Sequence, residues 1–301
     1  MGDGDSAAAE AELRRGFETL EVVQPDGSVP VWHIRLNRPA ERNALPLSFF
    51  LRDLPRALSL LRLLPSPPRA LVLSALGPHF CSGLHLPALA AAAAPADDDP
   101  AAAAAALRRR VLAMQEAISA LEGFPAPVVA AVQGGCVGAG VDLAAACDLR
   151  FCEEEAFFAV KEVDLALAAD LGTLQRLPGI VGYGNAADLA LTGRRVSAGE
   201  AKAMGLVSRV FPTRHALDEG VSDVARGLAE KSSIAVMGTK AVLVRSRDLT
   251  VEQGLDYVAT WNAAMLMSPD LKEAVQAYLH KRKPLFNRTT TTSKSKSKSN
   301  L

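Results

Sequence analysis

Cysteine is scarce in this chain, and neither sign of charge is in excess. The four cysteines among 301 residues, Cys81, Cys136, Cys147 and Cys152, include no C-x-x-C pair. They read as reduced, mostly buried thiols of an intracellular protein rather than a disulfide framework. Basic and acidic residues balance at 33 each, which argues against a nucleic-acid surface. No apolar run of about 18 residues is free of breakers and charges, so no membrane span is expected. The opening MGDGDSAAAEAELRRG lacks the apolar core of a secretory signal. His33, His79, His215 and His280 fall at no metal-ligand spacing, so no metal centre is expected. No serine or cysteine has a nearby base that would make it a covalent nucleophile.

What is present is a chain 49% hydrophobic, long enough for one large domain or two modest ones. Residues 1–15 read as a flexible leader. Strands are expected at Phe17–Val23 and Val31–Leu36, around a Pro-Asp-Gly turn. A helical pattern runs from Leu45 to Leu64, and Ala70–Ser74 is a short buried strand. Residues 88–106 are alanine runs interrupted by Pro95, Asp97–Asp99 and Pro100. They read as a surface insertion, partly helical and partly mobile. A helix resumes over Leu107–Leu121, and a strand is expected at Leu206–Phe211. Ser197 and Glu200 have capping-box spacing. Strands alternating with helices predict an α/β fold with parallel pairing over residues 16–215. Residues 216–286 read as a helical C-terminal subdomain. Residues 287–301 are a polar tail too poor in hydrophobes to fold.

The organising stretch is Pro127 to Pro178. An apolar run ending at Val132 meets glycines at 134, 135, 138 and 140, and a helical pattern follows. Asp142, Glu162 and Asp170 lie among apolar neighbours. A glycine turn ahead of a helix offers unpaired N–H groups to an oxyanion, and the acids can move protons. The order G-x-x-G-x-G reverses a dinucleotide fingerprint, and no G-K-[ST] follows, which excludes a P-loop.

GGCVGAGVDLAAACDLRFC, FFAVKEVDLALAADLGTLQRLP and LTGRRVSAGEAKAMGLVSRVFP resemble the crotonase (enoyl-CoA hydratase/isomerase) superfamily. Within it they are most similar to the Δ3,5-Δ2,4-dienoyl-CoA isomerases, as is SRDLTVEQGLDYVATWN. The resemblance implies a crotonase-type spiral of strand–strand–helix units followed by a helical trimerisation region. It implies an acyl-CoA thioester substrate, no cofactor beyond the CoA that the substrate carries, and a homotrimer or hexamer. It places one oxyanion donor on the Ala139 amide and the other on Leu84. Substrate contacts are implied at Ser82, Gly83, Leu84, His85, Leu86 and Ala139. Many relatives carry glycine where Ala139 stands, and aspartate where His85 stands.

An acyl thioester becomes acidic at its α-carbon when its carbonyl oxygen is stabilised as an enolate, and losing one N–H donor costs roughly 3 kcal/mol. Moving a 3,5-diene one step takes a proton from C2 and delivers one at C6. The resemblance assigns these transfers to Glu162 and Asp170 and sets Asp142 beside them. The expectation is that Glu162 takes the C2 proton and Asp170 protonates C6. Local sequence also permits simpler roles. Asp142 can complement a helix dipole, Asp170 can be an N-cap, and Glu162 can pair with Lys161. His85 can contact CoA or remain a spectator.

Two other functions fit parts of the pattern. A 2-enoyl-CoA hydratase would use Asp142 and Glu162 to hold a water and leave Asp170 without a task. A non-catalytic acyl-CoA-binding member would have no need of the acids. Finally, Ser299-Asn300-Leu301 resembles the S-K-L peroxisomal address, with Lys294, Lys296 and Lys298 before it. A peroxisomal location, with an import receptor as partner, is the expectation; the alternative is a cytoplasmic protein with a solubilising end.

Overall fold

The computed structural model describes residues 3–87, 90 and 99–286. The strands are β1 (Leu20–Val23), β2 (Val31–Leu36), β3 (Ala70–Ala75), β4 (Val128–Val132), β5 (Gly135–Val137), β6 (Leu149–Glu153), β7 (Phe157–Ala159), β8 (Val196–Ser197) and β9 (Arg209–Phe211). The helices of the first half are α1 (Asp3–Arg15), α2 (Leu54–Leu63), α3 (Pro100–Glu122) and α4 (Ala139–Ala146). Those of the second half are α5 (Thr173–Val181), α6 (Tyr183–Thr192), α7 (Ala198–Ala203), α8 (Arg214–Ala229), α9 (Ser233–Arg245), α10 (Val251–Met265) and α11 (Pro269–Leu279).

One sheet has the order β1-β2-β3-β4-β6-β9, and a smaller one has the order β5-β7-β8. Only the β1–β2 pair of the large sheet is antiparallel. Strands β3 and β4 are buried at every position, as expected for parallel strands covered on both faces. Their period of two divides the interior. Val72, Val129 and Ala131 pack with Leu217, Val221 and Ala225 of α8. Leu71, Leu73, Val128 and Ala130 face the main core with Leu58, Ile118 and Leu143.

The α/β spiral expected from sequence is present. Strand β4 leads through a glycine turn into β5 and then α4, and β6 leads through Glu154, Glu155 and Ala156 into β7 and then α5. The short strands of the second sheet were not read from the sequence. β5 is only Gly-Cys-Val, lying inside the glycine cluster.

The leader is corrected by the structure. Helix α1 buries Ala9 and Leu13 against α2, and Glu12 pairs with Arg56. Alanine propensity supplies the helix and the i, i+4 apolar pair supplies its docking face. The insertion is corrected in part. Residues 88, 89 and 91–98 lie outside the described residues, but α3 starts at Pro100 rather than Leu107. Pro100 read as a breaker is a helix starter, because Asp99 caps the Ala101 amide at 2.9 Å and proline suits the first turn. Ser197 does cap the Glu200 amide, but the Glu200 side chain bonds Arg194 instead of closing the box. The expected strands at 17–23 and 206–211 shorten to β1 and β9. The tail at 287–301 lies outside the described residues.

Helix α9 is fastened to the centre of the sheet. Lys240 is 7% exposed and reaches Asp148 Oδ2 at 2.7 Å and the Ala126 carbonyl at 3.2 Å. Asp148 also accepts from the Val128 amide, at the start of β4. Lys240→Met is expected to lower unfolding stability by about 3 kcal/mol, because it strands a half-buried carboxylate. A denaturant midpoint unchanged from the parent chain would contradict this.

Candidate active site

The site grows from three ribbons held level. Cys81 pairs with Cys136 in a parallel bridge, and Cys136 is level with Phe158 of β7. A few residues on, each ribbon delivers a candidate group: Leu84, Ala139 and Glu162. The Cys81 amide donates to the Gly135 carbonyl, and the Val137 amide to the Cys81 carbonyl. All four cysteines are free and buried, and burial pushes the Cys81 thiol up to about 12.

Leu84 lies opposite Leu45. The Leu45 amide donates to Gly83, and the His85 amide donates to Leu45, both at 2.9 Å. That parallel-bridge pattern turns the Leu84 amide away from Leu45. Ala139 is the first residue of α4, where helix geometry leaves the amide unpaired. Neither amide donates to an acceptor among the described residues. Gly83 at φ 100° and Gly138 at φ 54° bring the two segments together. A Cβ on Gly138 would stand 3.6 Å from Gly83 Cα and 3.0 Å from Glu162 Oε1. Asn43, 1% exposed, steadies the loop before Cys81 by donating to the Leu76 and His79 carbonyls at 2.8 Å.

Leu84, Ala139, Asp142, Glu162 and Asp170 line one cavity of about 490 Å3. Ser82, Gly83 and Leu86 line it too, whereas His85 turns aside toward Glu41 at 3.2 Å. Leu107, Val111 and Met114 of α3 form an apolar wall, faced by Leu165 and Leu167. Sequence reasoning missed this wall, although its i, i+4, i+7 spacing was available.

The simpler roles of two acids fall away. Lys161 pairs with Asp164 at 2.7 Å, not with Glu162. The N-cap of α5 is Gly172, not Asp170. Asp142 does lie in the first turn of α4, but its Oδ1 accepts from the Thr173 amide at 2.6 Å and hydroxyl at 2.7 Å. The partner Thr173 is a second residue that sequence reasoning missed. Glu162 Oε2 is buried without a hydrogen-bond partner among the described residues. Burial pushes Glu162 up to about 7, and the charges of Asp142 and Asp170 add to the rise. Burial pushes Asp142 up to about 6 against the two Thr173 bonds. Asp170, the most solvent-open of the three, is also raised, first by burial beside the cavity. Carboxylates that disfavour one another's charge can hold and release protons near neutral pH. Two amides left without an acceptor among the described residues, on residues that line the same cavity, can receive an oxyanion.

The family profile described as enoyl-CoA hydratase/isomerase matches residues 27–289. The chain belongs to that family. It is similar to an Arabidopsis thaliana protein named peroxisomal Δ3,5-Δ2,4-dienoyl-CoA isomerase, at 53% identity over 90% of this chain and 97% of the relative. The rat protein named mitochondrial Δ3,5-Δ2,4-dienoyl-CoA isomerase is 41% identical over 92% of this chain and 86% of its own length. The crystal structure of enoyl-CoA hydratase from Bacillus anthracis superposes with a TM-score of 0.80 at 30% identity, covering 89% of this chain and 99% of that one. The enoyl-CoA hydratase/isomerase fold thus frames the cavity just described.

Gly138 tests the turn. Its φ of 54° and ψ of −120° suit only glycine, and an added methyl would press on Glu162. Gly138→Ala should fold, yet lose about tenfold or more in kcat/KM on an acyl-CoA substrate, as expected for a displaced donor. Full activity in a steady-state assay would show that the turn is not part of the site.

Proposed function

We propose that this chain is a Δ3,5-Δ2,4-dienoyl-CoA isomerase. One observation carries the reading: Leu84 and Ala139, whose amides have no acceptor among the described residues, line one apolar-walled cavity with three carboxylates that form no ion pair among the described residues. The Leu84 and Ala139 amides hold the thioester oxygen as charge develops on it. Glu162 removes a proton from C2, giving an enolate conjugated through to C6. Asp170 donates its proton at C6, and the double bonds settle at C2 and C4. Proton exchange between the carboxylates and water then restores Glu162 as base and Asp170 as acid. The reaction uses no cofactor beyond the CoA of the substrate. Two acid/base groups suit two reacting carbons far apart on one chain, whereas hydration would leave Asp170 idle.

The assembly we favour is a trimer, or a hexamer of paired trimers. Helix α10 supports it, because none of its residues is buried although Val251, Leu255 and Trp261 lie on it. The compartment we favour is the peroxisome, supported by the name of the Arabidopsis relative and by the Ser299-Asn300-Leu301 ending. A fluorescent reporter carrying residues 287–301 should concentrate in peroxisomes, and a diffuse signal would count against the address.

Purified protein given a 3,5-dienoyl-CoA should form the conjugated 2,4-dienoyl product, followed by ultraviolet absorbance. Glu162→Gln and Asp170→Asn should each lower kcat by about 100-fold or more. A base must be ionised to act, so kcat/KM should rise with pH through a limb near 7, the value to which Glu162 is pushed. With acids this close the limb belongs to the cluster. Hydration of a 2-enoyl-CoA with no diene shift would replace the isomerase reading by a hydratase one. No turnover of either substrate would leave only a binding protein.

A further inference from the structure

The proton path gives Asp142 no step, yet Asp142 is the most deeply buried acid of the cavity, at 1% exposure. Its Oδ1 is held twice by one residue. Thr173, itself fully buried, donates its amide at 2.6 Å and its hydroxyl at 2.7 Å. The amide belongs to the first turn of α5 and would seek an acceptor in any case. The hydroxyl has no such obligation: valine has nearly the same shape, and a core position would accept it. We propose that Thr173 is a positioning residue for the reaction, its hydroxyl fixing Oδ1 of Asp142 and so holding that carboxylate in place at the cavity wall.

The consequence reaches Glu162. Burial disfavours an Asp142 anion, and the Thr173 bonds oppose that penalty. The charged and titratable groups around Asp142 come from several elements: Asp170 and Glu162 from the loop before α5, Arg176 from α5, Cys81 from its ribbon and Cys136 from β5. Among these, Arg176 favours the anion and Asp170 opposes it. An ionised Asp142 in turn makes Glu162 a stronger base, because it disfavours a second negative charge nearby. Without the hydroxyl, Asp142 takes up a proton more readily and Glu162 ionises at lower pH. A weaker base then faces the same C2 proton.

This inference rests on the isomerase reading for its kinetic arm but not for its spectroscopic arm. In the full chain, Thr173→Val should lower kcat for 3,5-dienoyl-CoA about tenfold, the scale of one lost hydrogen bond to a charged group. KM should stay within about twofold. The acidic limb of the pH profile should move to lower pH, which a loosened fold would not cause. Thr173→Ser should restore both the rate and the limb. Carbon-13 NMR of labelled aspartate carboxyls should show Asp142 titrating at higher pH in Thr173→Val and at its wild-type position in Thr173→Ser. If the valine chain does not fold, Thr173→Ala also lacks the hydroxyl and is read the same way. An Asp142 titration and an acidic limb both unchanged without the hydroxyl would overturn the proposal. If the wild-type chain moves no double bond while Asp142 still shifts in the variant, the isomerase reading fails and the positioning role stands.

Discussion

Two main-chain segments distant in sequence approach closely where Gly138 lies against Gly83. That approach is the constraint on which the rest of the structure depends. Gly83 and Gly138 make it possible, because a side chain on Gly138 would meet the Gly83 backbone and the Glu162 carboxylate. Both adopt φ angles that other residues avoid. The Cys81–Cys136 bridge fixes their register, and Leu45 holds the far side of the Leu84 ribbon. Donors set in place by sheet pairing need no rearrangement when charge develops, which is what makes such a site effective.

The carboxylates answer a different requirement. An acid that must exchange protons near neutral pH cannot be tied to a cation, since a salt bridge would keep it ionised. The cavity observes this among the described residues. Lys161 lines it, but its ammonium goes to Asp164, and Arg176 pairs with Glu122 behind the loop. Glu162 keeps one buried oxygen unpaired. A buried group left in that state costs stability, and the proton-transfer role proposed for Glu162 gives a reason for its retention.

The parts of the fold written in local pattern were legible. The unbroken apolar runs of β3 and β4 announced buried parallel strands, and the glycine cluster announced a turn into a helix. Ala70 to Ser74 came within one residue of β3. The acids were not legible locally, since each had an ordinary explanation one or two residues away. Glu162 beside Lys161 looked like an ion pair until Lys161 proved to face Asp164. Only the long motif shared with a family singled these positions out. Thr173 left no signal at all, because its meaning lies in a contact with a residue that β6 and β7 separate from it in the chain. The three-residue strand β5 was hidden for a related reason: its pairing with β7 and Cys81, not its own composition, makes it a strand. At α1 and α3 the sequence reading undervalued alanine, whose helix propensity sufficed once Leu13 could dock and Asp99 could cap.

Positioning of the acids also depends on elements outside the glycine turn. Gln115 of α3 donates to the Asp170 carbonyl at 2.6 Å, while Thr173 is tied to Asp142 of α4. Between these points the Arg176 guanidinium lies over Gly172, where a Cβ would collide with it. Glu122 of α3 then holds both Arg176 and Arg247, the latter just beyond α9. The segment from Asp170 to Thr173 is therefore fastened by its backbone from one side and by a buried carboxylate from the other. Its one exposed acid, Asp170, stands at the end of that segment and lines the cavity. A loop held by its own side chains would have spent them on its own geometry. Here neighbouring helices supply the fastening, so the Asp170 side chain is not needed to hold the segment in place.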